Sequence, residues 1–198
     1  MTFSSHDIAP GLTVQGFTPQ QKLSDFKLIA FDMDSTLINI ECVDEIADAA
    51  GRKAEVAAIT EAAMRGEITD YNESLRRRVA LLAGLPETVL QRVYEDRLRV
   101  TTGASELIGA ARRAGLKVLL VSGGFTYFTS RLAPRLGLDF VRANELGLRD
   151  GHLTGEVLGE IVNADVKRAT VEATCARLAI PTARAIVVGD GANDLKMM

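Results

Sequence analysis

Residues 28–36 read Leu28-Ile29-Ala30-Phe31-Asp32-Met33-Asp34-Ser35-Thr36, four apolar residues halted by a carboxylate with a second carboxylate two positions on. So short a run without polar alternation is the pattern of a strand buried on both faces. Two further runs end in the same way, residues 117–121 at Ser122-Gly123-Gly124 and residues 185–188 at Gly189-Asp190. Residues 138–141 offer another strand. Helical segments separate these runs, so the expected fold is α/β, a Rossmann-like parallel sheet with helices on both faces. Such sheets collect ligands beyond the carboxyl ends of their strands, and each polar cluster falls there.

Between residues 41 and 98 the pattern turns helical throughout. Ile46 with Ala50, Val56 with Ile59 and Ala63, and Leu75 with Val79 and Leu82 recur at three- and four-residue spacing. Gly51, Gly66, Gly84 and Pro86 mark the turns. This predicts a small helical cap, residues 41–98, inserted after the first strand of a core formed by residues 26–40 and 99–198. Residues 103–115 read as the helix that returns the chain to the sheet, and residues 164–178 as a further amphipathic helix. Asp150-Gly151 between short alternating segments predicts a β-hairpin over residues 146–157. Residues 1–25 are polar, with Pro10, Gly11, Gly16 and Pro19, and read as a poorly defined leader or short extra strand.

The chain has 198 residues, 47% hydrophobic and 25% charged, enough for one core domain and a modest insertion. A net charge of −3 creates no field toward nucleic acid or anionic lipid, and no basic stripe is interleaved with aromatics. Cys42 and Cys175 are too few for a disulfide scaffold or a zinc site. No apolar stretch is long enough to span a bilayer, and the first 30 residues lack the order of a secretory signal. The expectation is a soluble cytoplasmic protein without nucleic-acid or membrane partners. His6 and His152 lie outside every cluster, which argues against histidine-based chemistry.

Four clusters carry the chemistry. Asp32 and Asp34 start on one face of an extended chain; read alone, capping by Asp34 or Ser35 explains them equally well. Ser122-Gly123-Gly124 at a helix start offers N–H groups to an anion, and alone is also a plain glycine turn. Lys167 occupies a first helical turn, where the macrodipole disfavours a cation, but an isolated lysine is usually a solvated one. Asp190, Asn193 and Asp194, with Gly189 and Gly191, suit a hard divalent cation better than a simple capping turn. Together they answer one problem. A carboxylate approaching a phosphate dianion meets repulsion of about 4 kcal/mol per charge pair at about 4 Å and an effective dielectric near 20. Every ~1.36 kcal/mol is a factor of about ten in rate. A divalent cation, a lysine and a cradle of N–H groups offset that repulsion.

FDMDSTL at 31–37, VSGG at 121–124, Lys167 and GDGAND at 189–194, in this order, resemble the four motifs of the haloacid dehalogenase-like phosphatase superfamily. The resemblance covers residues 27–198. It implies an aspartyl-phosphate on Asp32, with Asp34 as general acid and then general base. It also implies Mg²⁺ held by Asp32, the backbone carbonyl of Asp34 and Asp190, with Asp194 supporting that shell. Ser122, Gly123, Lys167 and Asn193 would hold the phosphoryl oxygens. A dehalogenase would lack the second aspartate, so Asp34 argues for phosphate.

Within the superfamily, DSTLINIECVDEIA at 34–47, MRGEI at 64–68 and YNESLRRRV at 71–79 resemble the phosphoserine phosphatase family. That resemblance implies hydrolysis of O-phospho-L-serine, the last step of serine biosynthesis. Glu41 would meet the substrate ammonium, Arg78 its carboxylate, and Met64 and Tyr71 would be lid residues, although phenylalanine is more usual at the latter position. Helical geometry supports Arg78 independently: it borders the Leu75, Val79 and Leu82 face, while Arg76 and Arg77 project away. The expected partner is a small-molecule substrate; a homodimer is allowed but not required. The rivals are a sibling phosphatase or phosphotransferase acting on another small phosphomonoester and a silent phosphate-sensing module. The latter would be expected to lack Asp32 or Asp34. The sequence stops at Met198, in the expected helix after GDGAND, where family members continue through at least another strand, so the expectation is either a sequence that continues beyond Met198 or a sheet missing its C-terminal edge.

Overall fold

The structure, a computed structural model, describes residues 5–9, 12–15 and 21–198. Near the amino end, β1 (Ser5–Ala9) and β2 (Leu12–Gln15) pair antiparallel in a sheet of their own. The leader was expected to hold at most one short strand, and the rest of it lies outside the described residues. β3 (Leu28–Phe31) follows, then α1 (Cys42–Ala49), α2 (Lys53–Met64), α3 (Tyr71–Ala80) and α4 (Thr88–Arg92). α5 (Ala104–Arg113) leads back to β4 (Lys117–Phe125), and α6 (Thr126–Leu136) crosses to β5 (Phe140–Arg149). β6 (His152–Leu158), α7 (Ala164–Arg177) and β7 (Ala185–Val188) complete the order.

The main sheet has the strand order β6-β5-β4-β3-β7. β3 pairs parallel with β4 and β7, β4 pairs parallel with β5, and β5 and β6 are antiparallel. Its two faces divide the apolar residues by parity, as a pleated strand must. Ile29, Phe31, Val118 and Leu120 pack with Ile108 and Ala111 of α5 and Phe128 and Leu132 of α6. Leu28, Ala30, Leu119 and Val121 pack with Val171 and Cys175 of α7. Helices thus cover both faces, as the unbroken apolar runs require. Ile46, Val56, Leu75, Val79 and Leu90 of the helical stretch join the first of these clusters, so its core is continuous with that side of the sheet.

Register aligns the chemistry. Phe31 sits opposite both Leu120 and Val188, so β3, β4 and β7 deliver their next residues to one end of the sheet. The Asp32 N–H donates to the Val188 carbonyl at 2.9 Å.

Three expectations are corrected. Ser122-Gly123-Gly124 does not open a helix: β4 continues through it, and α6 begins at Thr126. Val121 pairs with Arg142 but Phe125 with Asn144, so β4 carries two extra residues there as a bulge. The strand expected at 138–141 and the hairpin expected at 146–157 share one long strand, β5, which is parallel to β4 at its start and antiparallel to β6 at its end. Asp150 (φ 50°) and Gly151 (φ 73°) make its turn, the pair of left-handed residues that a tight hairpin needs. Finally, residues 191–198 form successive tight turns rather than a regular helix.

Candidate active site

Asp32 is the first residue beyond β3 and is buried. The Lys167 ammonium donates to Asp32 Oδ1 at 2.7 Å and to Asp194 Oδ1 at 2.7 Å. All three side chains are sealed from solvent, Lys167 at 1% exposure. Lys167 reaches this point because Asn163 caps α7, its Oδ1 accepting the N–H groups of Asp165 (3.0 Å) and Val166 (3.1 Å). Burial pulls the lysine pKa down, but the carboxylates of Asp32 and Asp194 outweigh it and hold the ammonium above its ordinary range. Burial pushes Asp32 up, against the pull of Lys167.

After Asp32 the chain leaves the strand in a wide turn, closed by the Ile38 N–H on the Met33 carbonyl at 3.0 Å. Ser35 sits at φ 54°, a left-handed conformation that a side chain tolerates poorly, and the residue is fixed there by its partner. Its Oγ donates to Glu41 Oε1 at 2.6 Å. Thr36 Oγ1 donates to Asp190 Oδ1 at 2.8 Å, tying the first turn to the loop after β7. Asp34 turns the other way. Its carboxylate accepts the Cys42 N–H at 2.9 Å and the Cys42 thiol at 3.2 Å. Burial raises its pKa to about 7.

The β4 bulge forms the opposite wall. Ser122 is fully buried, and its Oγ accepts the Gly124 N–H at 2.9 Å. Buried Asn144 pins the bulge: its Nδ2 donates to the Gly123 carbonyl at 2.7 Å while its Oδ1 accepts the Val162 N–H at 2.8 Å. A Cβ on Gly123 would lie 2.3 Å from the Tyr71 hydroxyl, and one on Gly124 would lie 2.4 Å from Met33 Cε. A side chain at either position would have to push the tip of its neighbour aside.

These groups line one cavity of about 410 Å³. Asp32, Asp34, Ser122, Gly123, Lys167, Asp190 and Asn193 border it on the sheet side. Glu41, Met64, Tyr71 and Arg78 border it on the helical side, so every pocket residue expected from sequence except Asp194 reaches one space. Arg78 is half-buried while Arg76 and Arg77 are exposed, as the helical geometry predicts. Met64 is 84% exposed and sits at the mouth. Asp194 lies behind the wall, but its carboxylate comes within 4.8 Å of those of Asp32 and Asp190. Such a set of hard oxygen donors fits a small divalent cation.

A family model described as haloacid dehalogenase-like hydrolase matches residues 29–198. The chain belongs to this family. Among its relatives, a phosphoserine phosphatase of Albidiferax ferrireducens is 63% identical over 195 residues, spanning 96% of this chain and 82% of that one. A solved family hydrolase from Salmonella enterica serovar Typhi superposes with a TM-score of 0.85 at 39% identity, covering 93% of this chain and 62% of that one. A structure titled as a phospho-aspartyl intermediate analogue of phosphoserine phosphatase superposes with a TM-score of 0.80 at 42% identity, covering 87% of this chain and 81% of that one.

Sequence reasoning missed several residues that build this haloacid dehalogenase-like site. Thr36 was in view, a hydroxyl four positions after Asp32, but its partner lies 154 residues away. Cys42 was weighed only for a disulfide or zinc site, whereas its thiol faces Asp34. Thr60, Val43 and Leu75 complete the helical wall. Nothing in the sequence signals Asn144, whose role exists only once β4 bulges. Among the described residues no helix is long and apolar enough to cross a membrane.

Proposed function

We propose that this chain hydrolyses O-phospho-L-serine to L-serine and phosphate through an aspartyl-phosphate on Asp32, with Mg²⁺ as cofactor. The observation that carries this reading is the ammonium of Lys167, sealed at 2.7 Å from Asp32, in a cavity that Glu41 and Arg78 also line. A cavity with a phosphate-competent end, one anion and one guanidinium matches a phosphorylated α-amino acid. The relatives named phosphoserine phosphatase support the same assignment.

Asp32 attacks phosphorus, the P–O bond to the serine oxygen breaks, and Asp34 supplies the proton that the leaving alkoxide takes up. Asp34, now ionised, accepts a proton from the water that attacks the acyl phosphate, and the bond between phosphorus and the Asp32 oxygen breaks. A group with a pKa of about 7 is poised for both transfers at neutral pH. Lys167, the Ser122 hydroxyl, the Gly123 N–H and Asn193 hold the phosphoryl oxygens. Asp32, Asp190 and the Asp34 carbonyl would hold the cation, and Asp194, engaged by Lys167 and by the Gly191 N–H at 3.2 Å, would support them. The cation supplies positive charge that offsets repulsion between the Asp32 carboxylate and the ester. Residues 41–98 act as the cap, which supplies contacts beyond the phosphate.

Phosphate release from a panel of phosphomonoesters, with Mg²⁺ and then with chelator, tests this directly. Phosphoserine is expected to be the preferred ester and chelator to stop turnover. The Asp32→Asn variant is expected to lose about 10⁴-fold or more in kcat while keeping its fold. Equal rates for phosphoserine and phosphate esters lacking the amino-acid group would rule out the substrate assignment.

A further inference from the structure

Two buried polar atoms among the described residues lack any hydrogen-bond partner, Asp44 Oδ1 and Arg78 Nε. One belongs to a carboxylate on α1, the other to a guanidinium on α3. Val43, the neighbour of Asp44, and Arg78 itself line the same cavity. An N–H of a permanent cation closed off from water is unfavourable unless an acceptor meets it, and an orphaned carboxylate oxygen is unfavourable for the converse reason. Each lacks what the other has.

Other groups leave the pairing open. Lys53, the other cation acting on Asp44, lies 3.7 Å from Asp48. Burial raises the Asp44 pKa, and the largest opposing influence is the charge of Arg78. Glu41, the carboxylate on the helical wall of the cavity, already accepts from Ser35.

We propose that Asp44 is a positioning residue for Arg78: the two atoms stand unpaired in this structure, and when the amino-acid phosphate binds, the Asp44 Oδ1 takes up the Nε–H and so turns the two terminal nitrogens of the guanidinium, as a fork, toward the substrate carboxylate. A guanidinium has five donors in a rigid plane, so holding Nε on one edge fixes where the opposite edge points. Bidentate binding of a carboxylate needs that edge presented squarely. The proposal rests on the reading of Arg78 as the carboxylate-binding residue. The competing role for Asp44 is that of an acidic residue in the first turn of α1, where it would favour the helix dipole and nothing else.

A double-mutant cycle separates the two. KM and kcat are measured for phosphoserine and for phosphoethanolamine, which keeps the ammonium and lacks the carboxylate, in wild type, Asp44→Ala, Arg78→Ala and the double variant. Asp44→Ala is expected to raise KM for phosphoserine about tenfold, to leave kcat within about threefold, and to leave KM for phosphoethanolamine within about twofold. In the Arg78→Ala background the same change is expected to do nothing further. Asp44→Asn, which keeps an oxygen acceptor, is expected to recover most of the loss. If Asp44→Ala does not fold, Asp44→Ser, too short to reach Nε, takes its place in the cycle. Equal KM changes for both esters, or an undiminished effect in the Arg78→Ala background, would overturn the role of Asp44. If Arg78→Ala itself fails to discriminate the two esters, the carboxylate reading has failed and the Asp44 role falls with it. If Arg78→Ala discriminates and Asp44→Ala does not, the Asp44 role alone is wrong.

Discussion

At the scale of single residues, the site is a set of charges that would repel or desolvate badly if any one were removed. Asp32, Asp34, Lys167 and Asp190 were legible because their chemistry demands particular residue types beside particular strands. Cys42 and Asn144 were not, since a thiol facing Asp34 and an amide under a bulge acquire their meaning from partners set by tertiary packing. Gly123 offers a sharp test of this packing. Its φ does not require glycine, but a Cβ would press to 2.3 Å on the Tyr71 hydroxyl, while the next atoms stand at 3.4 and 3.5 Å. Gly123→Ala is therefore expected to lower kcat/KM by about ten- to a hundredfold through displacement of the bulge that is proposed to hold the phosphoryl group. Tyr71→Phe in the same chain removes the clashing oxygen and is expected to restore most of it. Steady-state kinetics on the single and double variants would show no rescue if the cradle tolerates the methyl group or fails for another reason.

At the scale of elements, the apolar runs located β3, β4 and β7, and helical spacing located α1, α2 and α3. The sequence was misread where one strand does two jobs. β4 outlasts its apolar run because Gly123 and Gly124 stay extended beside Asn144, and β5 changes partner halfway along. Hydrophobic periodicity reports burial, not which neighbour a strand pairs with. The start of β5 is held by Asp139, whose carboxylate accepts the Lys117 ammonium at 2.7 Å and the Val118 N–H at 2.9 Å. Partial burial pushes its pKa up, but these donors outweigh that and hold it below the ordinary carboxylate value. A lowered folded-state pKa stabilises above the unfolded pKa, and that contribution is lost as pH falls through the folded value. Asp139→Asn is thus expected to cost at most about 1 kcal/mol at pH 7, given the exposure of Lys117. The gap between variant and wild type should start to narrow only near the ordinary carboxylate value, about pH 4, and close at a pH below the lowered native value, where the native carboxylate is protonated too. Urea unfolding at both pH values checks this; a constant gap would assign the effect to shape rather than charge.

Across the whole molecule, the helical stretch is attached to the sheet at more than its chain ends. The Gly84 N–H donates to the Leu153 carbonyl, the Leu153 N–H to the Leu85 carbonyl, and the Glu87 N–H to the Gly151 carbonyl, each at 2.8 Å. Gly155, at φ 83°, brings β6 so near the end of α3 and the turn after it that a Cβ would stand 2.8 Å from Ala83 Cβ and 3.2 Å from the Ala80 carbonyl oxygen. If residues 41–98 act as the proposed cap and open over the cleft to admit substrate, the motion expected is a pivot about this seam rather than a lift of the whole stretch. Hydrogen exchange with Mg²⁺ and phosphate is expected to slow residues 53–71 by about threefold or more and to leave residues 84–90 and 151–155 unchanged. Uniform slowing across residues 41–98 would mean that the cap moves as one body.

The seam divides the helical stretch into a part welded to the hairpin and a part that is not. Residues 53–71, carrying Met64 and Tyr71, make none of the three seam bonds, whereas residues 84–87 make them all. The first segment is accordingly held by side-chain packing, with Val56 in the core, so a graft replacing it must preserve that contact, while a graft reaching into the second would have to bring its own hairpin with it.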